Sequence, residues 1–234
     1  MSTTVSVIIP CYNEEKYLPA CLKSLAKQTR PADEIIISDN GSTDQTAKII
    51  KNFASVLPIK YVFEPQKGII NAVQTAWQAS QGDLIVRTDA DCIFSPSWLT
   101  KIINHFDTDP LLAACGGPCR SLENNLLMKL LMRLAYPLSD LYYLSRFGFQ
   151  LLPGANCALR QSVIKSLGGY QSQNNKNFTE DVLLSYRLHQ QGFRAKRFPD
   201  CYNYTSTRRF SSNPKEICLA VLGTLNPSFY KEKI

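Results

Sequence analysis

GDLIVRTDADCIF, residues 82–94, decides the fold. Leu84, Ile85 and Val86 form a short apolar run, as expected of a strand buried on both faces of a helix-covered sheet. Thr88-Asp89-Ala90-Asp91 follows at once. In open α/β sheets, ligands sit at the carboxyl ends of strands. Two carboxylates one residue apart offer hard oxygen ligands to Mg²⁺ or Mn²⁺, ions usually shared with the phosphates of a substrate. Aspartate is also a common turn residue. This stretch alone therefore leaves open both a cation site and a solvated turn.

Outward from it, strands alternate with helices. Residues 5–9 predict a strand ended by Pro10. Residues 13–28 predict a helix capped by Asn13, with Tyr17, Leu18, Cys21, Leu22 and Leu25 on one face. A second strand spans 34–38, and a turn at 39–42 leads to a helix capped by Ser42 or Thr43 and running to about Phe53. Residues 59–63 form a third strand, 71–80 a helix, and 82–87 the fourth strand. This alternation predicts an α/β fold, with a mostly parallel central sheet flanked by helices.

The pattern then loosens. Residues 98–106 predict a helix and 112–119 a Gly-rich strand or loop. Residues 125–149 are rich in Leu, Tyr and Phe, with Lys129, Arg133 and Arg146 interleaved. Residues 151–159 read as a strand and 161–167 as a short helix. Residues 180–191 read as a helix with Val182, Leu183, Tyr186 and Leu188 inward, and 194–198 as a last strand. Segment 126–152 is open to three readings: core, a lid over an acceptor site, or an interfacial helix on an anionic membrane. Residues 217–230 are uncharged, but they are too short and are broken by Pro227, so they do not predict a bilayer span.

The 234 residues suit one domain, and 44% hydrophobic residues can build its core. The charge is lopsided: residues 1–120 hold 11 Lys/Arg against 12 Asp/Glu, residues 121–234 hold 15 against 7. A basic second half suits phosphates, an anionic membrane or nucleic acid, unless it serves solubility alone. The eight cysteines include no C-x₂-C pair, and Cys115 and Cys119 have no nearby histidine in sequence. Zinc is not expected, and buried free thiols in a reducing compartment are. The N-terminal sequence has no signal-peptide pattern. The expected location is cytoplasmic, peripheral on the membrane face if 126–152 is interfacial.

Four stretches, VSVIIPCYNEE (5–15), EIIISDNGSTDQT (34–46), GDLIVRTDAD (82–91) and FTED (178–181), together resemble the family 2 glycosyltransferases, inverting enzymes of the GT-A fold. The match covers about residues 5–200. It implies a single GT-A (Rossmann-like) domain over 1–234, with a nucleotide-sugar-binding half near 1–120 and a less regular acceptor-side half after it. It implies that Pro10, Tyr12 and Glu14 cradle the nucleoside, with Tyr12 near the base and Glu14 near the ribose. Asp39 would accept from uracil N3–H, and the loop at Lys67 and Gly68 would lie against the nucleotide. Asp91 would ligate Mn²⁺ or Mg²⁺, with Asp89 on the ribose or a metal-bound water. Asp181, second of the Glu180-Asp181 pair, would be the general base.

The implied reaction moves a sugar from a nucleotide-sugar, a UDP-sugar on the evidence of Asp39, to a sugar, lipid or polyprenyl acceptor in envelope polysaccharide or glycolipid synthesis. Two departures stand out. Tyr204–Arg209 holds no histidine where many relatives carry a further metal ligand, and the Q-x-x-R-W motif of processive synthases is absent. Arg208 and Arg209 are open to two readings, diphosphate partners or a solvated pair. His105 and His189 have no implied role. A sugar-phosphate nucleotidyltransferase would need a Gly-rich basic loop after the first strand, and Pro10–Glu14 is not one. A nucleotide- or RNA-binding module lacks a recognisable stacking platform here, so no nucleic acid is expected.

Overall fold

The computed structural model describes residues 3–170 and 180–208. Arg209, Cys218 and residues 171–179 and 217–230 lie outside these residues. The chain order is β1 (Val5–Cys11), α1 (Leu18–Leu25), β2 (Glu34–Asp39), α2 (Thr46–Phe53), β3 (Ile59–Phe63), α3 (Ile69–Gln78), β4 (Leu84–Thr88), β5 (Cys92–Phe94), α4 (Trp98–Thr108), β6 (Leu112–Gly116) and β7 (Cys119–Ser121). It continues with α5 (Leu126–Phe147), β8 (Asn156–Arg160), α6 (Gln161–Ser166), α7 (Glu180–Gln190), β9 (Arg194–Arg197) and β10 (Asn203–Thr205).

Seven strands form one sheet in the order β3-β2-β1-β4-β8-β6-β9, and only β8 runs against its neighbours. A small sheet, β5-β10-β7, stands beside it. The two halves of the chain thus share one sheet, because β8 inserts between β4 and β6. Every residue of β4 is buried. In β1 the side chains alternate: Val7 and Ile9 pack with α1 and α4, Ile8 with α3 and α7. All seven described cysteines are free and buried.

Several local expectations change. Pro10 does not end β1, which runs to Cys11. Pairing with β4 stops at Ile8, so the missing N–H of Pro10 interrupts no ladder on that side. The first helix starts at Leu18, with Tyr17 as its cap and Pro19 in its first turn. Asn13 sits instead in the left-handed region, φ 55°, which asparagine tolerates. Its Oδ1 accepts from Thr43 N–H and its own N–H donates to Ser42 Oγ, so those three residues bind two loops together rather than capping helices. The cap of α2 is Gln45.

Residues 151–155 are not strand; β8 begins at Asn156. On α7 the buried residues are Val182, Leu184, Ser185 and Leu188, while Tyr186 is exposed. Ser185 is inward because its hydroxyl accepts from Leu152 N–H. Strand β10 was not expected: its NYT sequence carries no apolar pattern, and it exists because β5 and β7 flank it. His105 stacks on Phe198 and hydrogen-bonds Asp200, and His189 lies by Phe149.

Candidate active site

The carboxyl ends of β1, β2 and β4 lie side by side, and the chain carries its polar motifs there. Asp39, the last residue of β2, is buried. Its Oδ1 accepts from Ser42 N–H at 2.8 Å and its Oδ2 from the Tyr61 hydroxyl at 3.0 Å. Burial, then that bond to a carboxylate, pushes the Tyr61 hydroxyl up to about 12, so Tyr61 stays a donor. Asn40 fills all its hydrogen-bonding positions. Its N–H donates to Cys11 O, its Nδ2 to Glu64 O and Gln66 O, and its Oδ1 accepts from Gly68 N–H. It thereby locks the 64–68 loop onto the ends of β1 and β2.

Lys67 Nζ donates to Asn40 O (3.0 Å) and Gly41 O (3.1 Å), and lies 3.9 Å from the centre of the half-exposed Tyr12 ring. Gly68 caps α3 at φ 131°, a conformation that a side chain would strain. Tyr12, Lys67 and Gly68 thus share one wall with Asp39, and Pro10 pairs with Ser38 just beneath it.

The second wall is acidic. After β4 the chain turns through Asp89–Asp91, with Cys92 N–H bonded back to Asp89 O, and then leaves the main sheet as β5. Asp91 Oδ1 accepts from Thr205 Oγ1 at 3.3 Å, and its Oδ2 lies 3.5 Å from the Arg208 guanidinium. Arg208 also pairs with Glu14 and sits over the Tyr17 ring, 4.3 Å from its centre. It is therefore held by acids rather than solvated. Glu14 Oε2 is buried and has no hydrogen-bond partner among the described residues. Burial and the nearby Asp91, Asp89 and Glu14 carboxylates raise the Cys21 thiol, a sign of how much negative charge gathers at this end. Asp89 and Asp91, one residue apart and offering hard carboxylate oxygens, fit Mg²⁺ or Mn²⁺ better than a soft metal.

The third wall is acid held by base. Arg87, on β4, is almost fully buried and donates to Glu180 Oε1 at 2.8 Å. Burial opposes its charge, but the Asp89 and Glu180 carboxylates outweigh that and raise it. A Cβ on Gly154 would sit 2.8 Å from this guanidinium, so only glycine leaves room there. Arg87 thus ties the start of α7, with Glu180 and Asp181, to the strand that carries Asp89. Burial pushes the Cys157 thiol up to about 12; the Arg87 guanidinium opposes this, and the Asp181 and Asp89 carboxylates add to it.

Sequence reasoning missed Arg87, Asn40, Tyr61 and Glu123. An arginine inside an apolar strand was a usable signal, since buried charge needs a partner. Asn40, Tyr61 and Glu123 gave none. Glu123 fixes the segment before Arg208, accepting from Ser206 Oγ, Thr207 N–H and Thr207 Oγ1. Burial raises its pKa, but these bonds outweigh burial and hold it at about 2, against 4.5 ordinarily. A depressed carboxylate stabilises the fold fully above pH ~4.5, and this is lost as pH falls through ~2. Glu123→Gln should therefore unfold more easily than wild type at neutral pH. Urea titrations at several pH values should show that gap closing below pH ~4.5; a gap independent of pH would count against this role.

The chain is similar to known proteins. The profile of the family described as "Glycosyl transferase family 2" matches residues 6–168. The chain belongs to glycosyl transferase family 2. It is 25% identical over 201 residues to the poly-beta-1,6-N-acetyl-D-glucosamine synthase of Staphylococcus epidermidis, covering 83% of this chain and 48% of that one. It is 29% identical over 207 residues to the probable glycosyltransferase YdaM of Bacillus subtilis, covering 83% and 49%. The chain thus spans about half the length of the curated relatives it matches.

Among solved structures, the mannosyltransferase PcManGT of Pyrobaculum calidifontis with GDP-Man and Mn²⁺ superposes at TM-score 0.69, with 23% identity, over 88% of this chain and 57% of that one. S. aureus TarS 1-349 with UDP-GlcNAc superposes at 0.67, with 21% identity, over 94% and 66%. The fold of this family 2 chain is accordingly GT-A-like.

Proposed function

We propose that this chain is the catalytic domain of a divalent-metal-dependent inverting glycosyltransferase. It takes a nucleotide-sugar, a UDP-sugar, and transfers the sugar to an acceptor hydroxyl in envelope polysaccharide or glycolipid synthesis. The observation that carries this is the convergence of Asp39, Glu14 and Asp89/Asp91 at three adjacent strand ends, with Glu180-Asp181 tied to the same strand by Arg87. The relatives and structural neighbours support a nucleotide-sugar donor, and one neighbour holds Mn²⁺.

In this reading Tyr12 stacks beside the base, backed by Lys67. Asp39 keeps lone pairs beyond its bonds to Ser42 and Tyr61, and an ionised carboxylate accepts from uracil N3–H. The unpartnered Glu14 Oε2 accepts from a ribose hydroxyl. Asp91 and Asp89 hold the divalent ion, which when bound supplies Lewis-acid stabilisation to the leaving diphosphate. Arg208, already at Asp91, offers a second cation to the same phosphates. Asp181 takes the proton of the acceptor hydroxyl as its oxygen attacks the sugar carbon, and the nucleoside diphosphate leaves. The ion pair with the buried Arg87 holds Glu180 in place, leaving the base role to Asp181.

A thermal-shift panel of nucleotide-sugars with Mn²⁺ tests this. A UDP-sugar should raise the melting temperature more than GDP- or ADP-sugars, by ligand stabilisation of the folded state. Asp39→Ala should weaken UDP binding by about 1.5–3 kcal/mol, the scale of a hydrogen bond to a charged group. UDP binding as tight as wild type in that variant would remove Asp39 as the base reader. Stabilisation by no nucleotide-sugar would remove the proposal.

A further inference from the structure

Helix α5 is turned inside out. It is 22 residues long, and its buried residues are Met128, Ser139 and Tyr143. Leu127, Leu130, Leu134, Leu138, Leu141 and Leu144 are each at least 46% exposed. At 3.6 residues per turn these leucines fall on one arc of about 120°, roughly opposite the buried residues. An amphipathic surface helix ordinarily turns such a stripe to the core. A continuous exposed apolar patch of this kind marks a contact surface. The arc contains no acidic residue.

Beside the arc, a cavity of about 590 Å³ opens between α5, β7 and β10. Arg120, Lys129 and Arg133 line it, with Arg197 beneath. Arg197 is anchored by Asp140 and by the carbonyls of Tyr136 and Leu151, so its charge is fixed in place. Among the described residues Asp140 is the one acid in the lining. The cavity is thus cationic, and it adjoins an apolar face on the same helix.

We propose that this cavity binds the phosphate headgroup of an anionic phospholipid, while the leucine arc of α5 lies in the acyl region of the same leaflet. This goes beyond the transfer reaction and does not depend on it. The cations match an anionic surface, and an apolar arc with basic residues beside it is the pattern of helices that lie in the interface plane. No described helix is long and apolar enough to cross the membrane, and the leucine arc runs along the side of α5, so this contact is lateral. A second copy is the poorer occupant: a two-fold pairing presents the same arc, which has no acidic residue to meet the flanking Lys129 and Arg133. The contact also orients the site, because adjacent β10 residues serve both places, Tyr204 lining the cavity and Thr205 holding Asp91.

Sedimentation with vesicles tests it, using phosphatidylcholine alone or with phosphatidylglycerol. The full chain should pellet with the phosphatidylglycerol vesicles at low salt and be released at high salt. Leu134→Glu/Leu141→Glu should abolish pelleting while keeping the thermal shift with UDP and Mn²⁺, which shows that it folds. Lys129→Gln/Arg133→Gln should weaken partitioning by roughly 30-fold, on the scale of the attraction each basic residue contributes near such a surface. Lys48→Gln/Lys51→Gln, which removes equal charge from the exposed face of α2, should leave it near wild type.

An equal loss in the two charge pairs would mean that net charge alone acts, and would overturn the cavity. No binding to either vesicle would overturn the whole proposal. So would a dimer in solution that the leucine variants dissolve, which would give the face to a second copy. The nucleotide shift is read without vesicles, so the donor-site reading stands or falls separately.

Discussion

Asp181→Asn is expected to lower kcat by about 10²–10⁴-fold, the usual contribution of a positioned general base. Direct attack by an acceptor hydroxyl needs a proton acceptor on the side opposite the leaving nucleotide. Asp181 heads α7, and its neighbour Glu180 is committed to the buried Arg87. Asparagine keeps the shape of Asp181 and removes its basicity. UDP affinity should barely change, because Asp39 and Asp91 are untouched. Glu180→Gln should cost less turnover. It should cost stability instead, because the buried Arg87 guanidinium loses its hydrogen-bonded partner and keeps only the nearby Asp89 charge; the cost should fall below the roughly 3–5 kcal/mol of breaking a fully buried pair. Steady-state transfer or donor hydrolysis, read alongside UDP titration, separates the two. Wild-type kcat in Asp181→Asn, or equal losses of UDP binding and turnover, would place the base elsewhere.

Asp91→Asn should abolish measurable transfer and weaken nucleotide binding, and EDTA should have the same effect on the wild type. A neutral amide is a poor replacement for a carboxylate that holds a hard cation. The variant also loses the charge facing Arg208, which is left to Glu14 alone. Calorimetric titration of Mn²⁺ and UDP, separately and together, reads the effect without turnover. Binding of UDP should be helped by Mn²⁺ in the wild type and indifferent to it in Asp91→Asn. Full activity after exhaustive metal removal would refute the metal reading of Asp89 and Asp91.

The sequence by itself determined the parallel part of the sheet. The apolar runs of β1, β2 and β4, with helices between them, admit little but a buried parallel arrangement, because such runs must be covered on both faces. It also placed Asp39 and Asp89-Asp91 at strand ends, since each follows its apolar run at once. What it could not give was every contact made between residues far apart in the chain. Glu14 and Arg208 are 194 residues apart and pair only because β10 returns beside β5.

Arg87 was visible as an oddity in an apolar strand, yet its partner Glu180 is 93 residues away. Asn13 spelled a helix cap, but the competing bonds to Ser42 and Thr43 of the neighbouring loop won, and the helix began five residues later. The sequence left segment 126–152 open to core, lid or interfacial helix, although its leucines recur at helical spacing. Only packing decided that this face points outward, because periodicity fixes which side chains share a face, whereas the rest of the chain fixes which way that face turns.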